Sequence, residues 1–232
     1  MAAHGRDRRT PGMERQRILS SSRRFWRPAD LSGPTSTVQH LLAALTHDGE
    51  LRRVRRGLYW RGVKTPLGMS PPPTDDLLEA LVPGGGVGPA GLSAANALRL
   101  STQVPRAVEV AVPQRAPADG GTLRFVSRAA RAGRLDADLQ PMEVALLEVL
   151  ESWDRVVEIP QVEAWARLVT LLRSGVARPD SLAQAGRTEP GAVRARLRSL
   201  LEASGHGELA ERVPAPDRRV AAGATRELSV TV

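Results

Sequence analysis

Three groups of residues in this chain have types and spacings that could do chemistry. The stretch GVGPAG, Gly86 to Gly91, matches the G-x-G-x-x-G pattern that brings a backbone close to a dinucleotide pyrophosphate. Asp75, Asp76 and Glu79 offer carboxylates for Mg²⁺, and His40 and His47 offer imidazoles for a softer metal. Arg52, Arg53, Arg55 and Arg56, with Arg61 close behind, form a cationic cluster suited to phosphate.

The first two groups weaken against their surroundings. A dinucleotide loop needs a buried strand running into its first glycine, whereas DDLLEALVP precedes this one with leucines at helical spacing. Glu109 stands where a ribose-binding acid would, but it alternates outward within AVEVAVP, and no Lys-Ser/Thr follows the glycines. The stretch is therefore expected to be a flexible turn between two helices. His40 and His47 are seven residues apart, too far for the i, i+4 pair that clamps a metal. The three acids are explained by a helix start, where negative charge meets the dipole. Lys64, the only lysine, has no acid two residues before it, no G-x-S-x-G elbow occurs, and cysteine is absent. A non-enzymatic protein without cofactor or metal is expected. The competing expectation is a nucleic-acid-processing enzyme that uses a basic domain for delivery.

The arginines survive this comparison because charge is placed unevenly. The chain of 232 residues carries 33 Lys and Arg against 25 Asp and Glu, a net +8. Residues 1–64 hold 14 basic and 5 acidic side chains, and the remainder holds 19 and 20. A coding bias toward Arg over Lys would not concentrate charge at one end. A basic segment on a neutral body is the electrostatic footprint of a polyanion-binding protein. No apolar run approaches the roughly 20 residues of a membrane span, and the N-terminus lacks the apolar centre of a secretory signal, so a cytoplasmic protein is expected.

The elements that would position these arginines can be read from periodicity. Residues 1–12 read as a basic flexible tail and MERQRILSSS as a short helix. FWRPADL suits a short helix with Pro28 in its first turn. Thr35, Ser36 and Thr37 offer caps for a helix that Gly49 ends, with Val38, Leu41, Leu42 and Leu45 as its buried stripe. ELRRVRRGLYWRG reads as two strands around a tight turn, with Leu51, Val54, Leu58 and Tyr59 on the apolar side. Helix, helix, helix, basic hairpin is the order of a winged helix-turn-helix over residues 13–64. Ser36, Thr37, Gln39 and His40 would begin its recognition helix, and Arg52, Arg53, Arg55, Arg56 and Arg61 would line its wing.

A Pro-rich linker is expected over 65–73, and a mixed domain over 74–212. TDDLLEALV and LSAANALRL read as helices there, and AVEVAVP and TLRFVS as strands separated by the turn PADGG. Pro141 opens a helix with Met142, Leu146, Val149, Leu150 and Trp153 on one face. In the next helix Val162, Trp165, Ala166, Val169 and Leu172 share a face. SLAQAG and GAVRARLRSLLEAS read as a structural helix pair with Val193, Leu197, Leu200 and Leu201 inward, rather than a second DNA-binding motif. Residues 213–232 read as a tail. The fold class is α+β, a winged helix followed by a mixed domain with a helical C-terminal part.

The run WRPADLSGPTSTVQHLLAALTHDGELRRVRRGLYW resembles the N-terminal winged helix of AbiEi-type antitoxins of type IV toxin–antitoxin systems. GLSAANALRLSTQVP, AVEVAV and RFVS resemble the second domain of that group, so the resemblance covers about residues 13–200. It implies a repressor of its own operon that binds double-stranded promoter DNA, often at inverted repeats. It also implies that the C-terminal domain counters a nucleotidyltransferase-like toxin; the alternative is a DNA-binding regulator with no toxin partner. By position, the recognition helix would start at Ser36, Thr37, Gln39 and His40, with the wing at Arg52 to Arg56.

Overall fold

The computed structural model describes residues 11–118, 122–226 and 228 of an α+β protein. Its contacts divide it into two units, Met1–Leu81 and Val82–Val232. Among the described residues no helix is long and apolar enough to cross a membrane.

The first unit opens with α1 (Pro11–Leu19). Residues 1–10 of the expected tail lie outside the described residues, and Pro11 starts the helix, a position where its missing N–H costs nothing. The expected helix over FWRPADL is two elements. Arg24–Trp26 is a strand, β1, and only Pro28–Asp30 is helical, as one 3₁₀ turn closed by the Asp30 carboxylate on the Arg27 amide at 2.7 Å. Helix α2 (Thr35–His47) takes Pro34 as its N-cap, so Thr35, Ser36 and Thr37 all lie inside the first turn and none caps it. The caps expected of these three hydroxyls are thus corrected: a side chain caps only from the residue just outside the helix.

Strands β2 (Arg52–Arg55) and β3 (Leu58–Arg61) form a hairpin around Arg56-Gly57, with Gly57 in the left-handed region at φ 76°. β3 is the centre of an antiparallel sheet of order β1-β3-β2, in which Trp26 faces Tyr59 and Phe25 faces Trp60. Adjacent residues of β3 point to opposite faces, so Leu58 and Trp60 are buried while Tyr59 is only half-buried, and Val54, at a bulge between Arg53 and Arg55, is half-buried as well. Ile18, Trp26, Leu31, Val38, Leu42, Leu45 and Leu51 form the core against the helices, with Leu41 at its edge.

The chain expected to be a linker is structured. β4 (Lys64–Thr65) pairs with β5 (Gly68–Met69) in a second small hairpin, and the buried Met69 sulfur accepts the Gly62 amide at 3.1 Å. Helix α3 (Thr74–Leu81) then closes the first unit, its Ala80 carbonyl accepting the Arg27 guanidinium at 2.7 Å.

The second unit sets a three-stranded sheet beside a helical body. β6 (Gly88–Pro89) pairs antiparallel with β7 (Val108–Val112), which pairs in parallel with β8 (Leu123–Ser127). Parallel pairing requires the chain to run back along the strand rather than reverse in a tight turn. Of the expected PADGG turn, residues 119–121 lie outside the described residues. The glycine stretch is no flexible turn: a Cβ on Gly88 would fall 2.6 Å from the Pro141 carbonyl oxygen, and one on Gly86 would fall 2.9 Å from Arg134 backbone. Glycine lets β6 lie directly on the helices that follow.

Those helices are α4 (Gly91–Ala97), α5 (Gly133–Asp136), α6 (Pro141–Val156), α7 (Gln161–Arg173), α8 (Pro179–Ala185), α9 (Gly191–Ala203), α10 (Gly207–Arg212) and α11 (Arg218–Arg226). α6 is the axis, with every residue from Glu143 to Leu150 buried. α7 buries Ala164, Leu168 and Leu172, an i, i+4, i+8 stripe, while Val162 and Ala166 of the expected face are exposed. The region expected as a tail contains α11, which buries Ala224 and whose Ala224 carbonyl accepts Arg196 at 3.1 Å.

A buried ion network links sheet and helices. Arg134, fully buried, places Nε and Nη2 on the Glu189 carboxylate at 2.6 and 3.0 Å and Nη1 on Glu148 at 2.6 Å. Arg128, just after β8, grips both oxygens of Glu148 at 2.8 and 2.7 Å, and Arg131 pairs with Glu151 at 2.5 Å. Burial pushes Glu148 up, but the Arg128 hydrogen bonds and the Arg134 charge outweigh it and hold the carboxyl below its ordinary value of 4.5. A carboxyl depressed in the fold stabilises above its unfolded value and loses that stabilisation as pH falls through the folded one. Urea midpoints measured against pH are therefore expected to hold above about 4.5 and drop below it. Glu148→Gln should be less stable at pH 7, by about 3–5 kcal/mol for a broken buried pair, with a shallower acid limb. An acid limb as steep as in the unsubstituted chain would remove Glu148 as its source.

Candidate nucleic-acid interface

The cations of the first unit fall into two classes. Arg17 pairs with the buried Glu14 at 3.1 Å and donates to the Asp30 carbonyl, joining α1 to the 3₁₀ turn. Arg15 reaches Asp48 at 3.4 Å at the end of α2. Arg61 and Lys64 share Glu50, at 3.4 and 2.5 Å. Lys64 and the two arginines Arg61 and Arg15 hold that carboxyl below its ordinary value. Arg61 also donates to the Leu19 carbonyl at 3.4 Å, so this side chain, expected on the wing, is turned inward.

Arg52, Arg53, Arg55 and Arg56 are different. All four are exposed, and among the described residues none has a hydrogen-bond or ion-pair partner. They occupy an edge strand and its turn, where charge also guards against pairing with another chain. Edge protection needs no particular sign, however, and four adjacent cations repel one another. Arg24 adds another cation on the opposite edge strand, its guanidinium 4.5 Å from the centroid of the Trp26 ring. This one was not read from the sequence, because β1 was not.

On α2, Ser36, Gln39 and His40 are exposed and Thr37 is half-buried. With Pro34 at the N-cap, no side chain covers the first-turn amides. Ala43 and Ala44 continue the exposed surface with small side chains, which lets the helix approach a flat-walled partner closely. Among the described residues no hydrogen bond or ion pair joins the start of α2 to the hairpin arginines; the two groups are carried separately on one core. Asp75, Asp76 and Glu79 are exposed on α3, and among the described residues no three His, Asp or Glu gather where they could hold a metal.

No family model matches the chain, and no curated protein does. Among solved structures it is similar to the crystal structure of the RV2827C protein from Mycobacterium tuberculosis, at 18% identity over 90% of this chain and 84% of that one, with a TM-score of 0.46.

The two arginine classes should separate in stability measurements. Arg55→Ala with Arg56→Ala is expected to change unfolding free energy by no more than about 0.5 kcal/mol, as for exposed unpaired sites. Arg61→Ala should cost about 1–3 kcal/mol through its lost charged hydrogen bonds. Urea unfolding followed by tryptophan fluorescence checks both. A large loss in the double variant would mean that the hairpin arginines serve the fold.

Proposed function

We propose that the first unit is a winged helix-turn-helix that binds double-stranded DNA, and that the protein represses transcription of its own operon. The observation that carries the reading is the set of unpaired, exposed arginines at Arg52, Arg53, Arg55 and Arg56, in a unit that pairs Arg15, Arg17, Arg61 and Lys64 internally. The element order supports it: α1, β1, a 3₁₀ turn, α2, then a hairpin, with sheet order β1-β3-β2. In this reading α2, about 20 Å long at 1.5 Å per residue, lies in the major groove. Ser36, Thr37, Gln39 and His40 meet base edges and phosphates, and the first-turn amides favour a phosphate. The hairpin arginines reach neighbouring phosphates or the minor groove. Arg61 is left out, since Glu50 holds it.

Fluorescence anisotropy on the upstream DNA and on a shuffled duplex tests this. Neutralising roughly 6–10 phosphates predicts a loss of ~10³–10⁵ in affinity between about 50 and 200 mM salt. Arg55→Ala with Arg56→Ala should weaken both duplexes alike, whereas Gln39→Ala should change the preference between them. Equal losses on both duplexes for both variants would sink the assignment of roles, and no binding at low salt would sink the function.

The antitoxin role rests on the resemblance to AbiEi-type proteins. In it the second unit counters a nucleotidyltransferase-like toxin encoded beside this chain. Residues 82–232 co-expressed with that toxin are expected to restore growth; continued growth arrest, with the unit folded and present, refutes the role.

A further inference from the structure

We propose that the second unit carries a binding site for a linear aliphatic carboxylate, a ligand class independent of the DNA-binding reading. The site is an open trough of about 420 Å³ between the end of α4, the start of α6 and the last turns of α7. Ala97, Leu98, Met142 and Leu171 line it together with Arg99 and Arg167. Its volume lies within the range of small-molecule sites, and its lining is mainly apolar. Met142 adds an unbranched thioether that adapts to an apolar guest.

Arg99 is the unusual residue. It follows α4 in the left-handed region at φ 57°, with its amide on the Asn96 carbonyl at 2.9 Å and the Leu100 amide on the Ala95 carbonyl at 2.7 Å. This is the helix-ending position that glycine fills without strain, so an arginine there carries a backbone cost that glycine would avoid. Arg167 donates to the Arg99 carbonyl, and its other terminal nitrogen pairs with Glu163 at 2.9 Å. Among the described residues the Arg99 guanidinium has no partner. The lining of the trough therefore includes one strained, uncompensated cation.

A largely apolar trough with one unpaired cation in its lining selects an amphiphile with a single anionic head. A peptide would bring amides that must be hydrogen-bonded along its length, and the lining residues offer only the two arginines. An aliphatic chain carries no such groups. Its methylenes would lie on Leu98, Met142 and Leu171, with the carboxylate on the Arg99 guanidinium.

Isothermal titration of the full chain with hexanoate, octanoate, decanoate and decanol tests the site. Affinity should rise roughly fourfold per methylene, and decanol should bind more weakly than decanoate. Arg99→Gly should raise the thermal midpoint or leave it unchanged while reducing decanoate to the affinity of decanol. A purely structural arginine would not give that pairing. Ala97→Trp, at an exposed wall position, should fill the trough and remove both ligands. Absence of saturable decanoate binding, or binding indifferent to either substitution, overturns the proposal. So does a lowered midpoint for Arg99→Gly.

Discussion

The second unit depends on the compensation of one buried charge. Arg134 is removed from water, and a guanidinium there is tolerable only with carboxylates in hydrogen-bond range. Glu189 takes one side of its fork and Glu148 the other, while Arg128 takes both Glu148 oxygens from outside. Glu148 lies on α6, Arg128 follows β8, Arg134 is in α5 and Glu189 precedes α9. Four separate parts of the chain must thus arrive at fixed distances. Apolar residues of equal volume would bury as favourably, but their contacts are non-directional. The planar fork accepts carboxylates from few directions, so this network sets placement as well as stability. Gly133 fits the same junction, its amide on the Thr188 hydroxyl at 3.1 Å.

The first unit treats charge in the opposite way. Its internal ion pairs fasten secondary structure: Arg17 to Glu14, and Arg61 and Lys64 to Glu50. Trp26 lies beneath the guanidiniums of Arg17 and Arg24, at 5.0 and 4.5 Å, with its indole N–H on Ser21 at 3.1 Å. Glu14 and Glu50 are used in this way, and none of the unit's described acids pairs with the hairpin cations. Their mutual repulsion is modest in water and screened by salt, so the fold tolerates it. That field is available to a polyanion.

Much of this was legible beforehand where the signal is local. The stripe of α2, the Arg56-Gly57 turn, the start of α6 at Pro141 and the inward face of α9 all follow from spacing over a turn or two. Ser36, Gln39 and His40 lie off that stripe and are exposed. Elsewhere two readings of one pattern competed. In α7, Val162 and Ala166 look as apolar as Ala164 and Leu168, and only the neighbours decide which face is covered. β4 and β5 are two residues each, too short for any period, and the prolines around them suggested a linker.

The sequence by itself determined where the helices at Thr35 and Pro141 begin, the hairpin turn at Gly57, and that the excess charge lies in the first quarter. These depend on residue types and on neighbours within a few positions. Tertiary structure alone decided which charges are spent. Arg61 and Arg55 are alike in sequence, yet one is held by Glu50 and the other is exposed without a partner. Arg134 and Glu189 are 55 positions apart, and nothing local marks them as a buried pair. Burial and ion pairing are set by what the chain brings together across such distances, and local spacing carries no record of that.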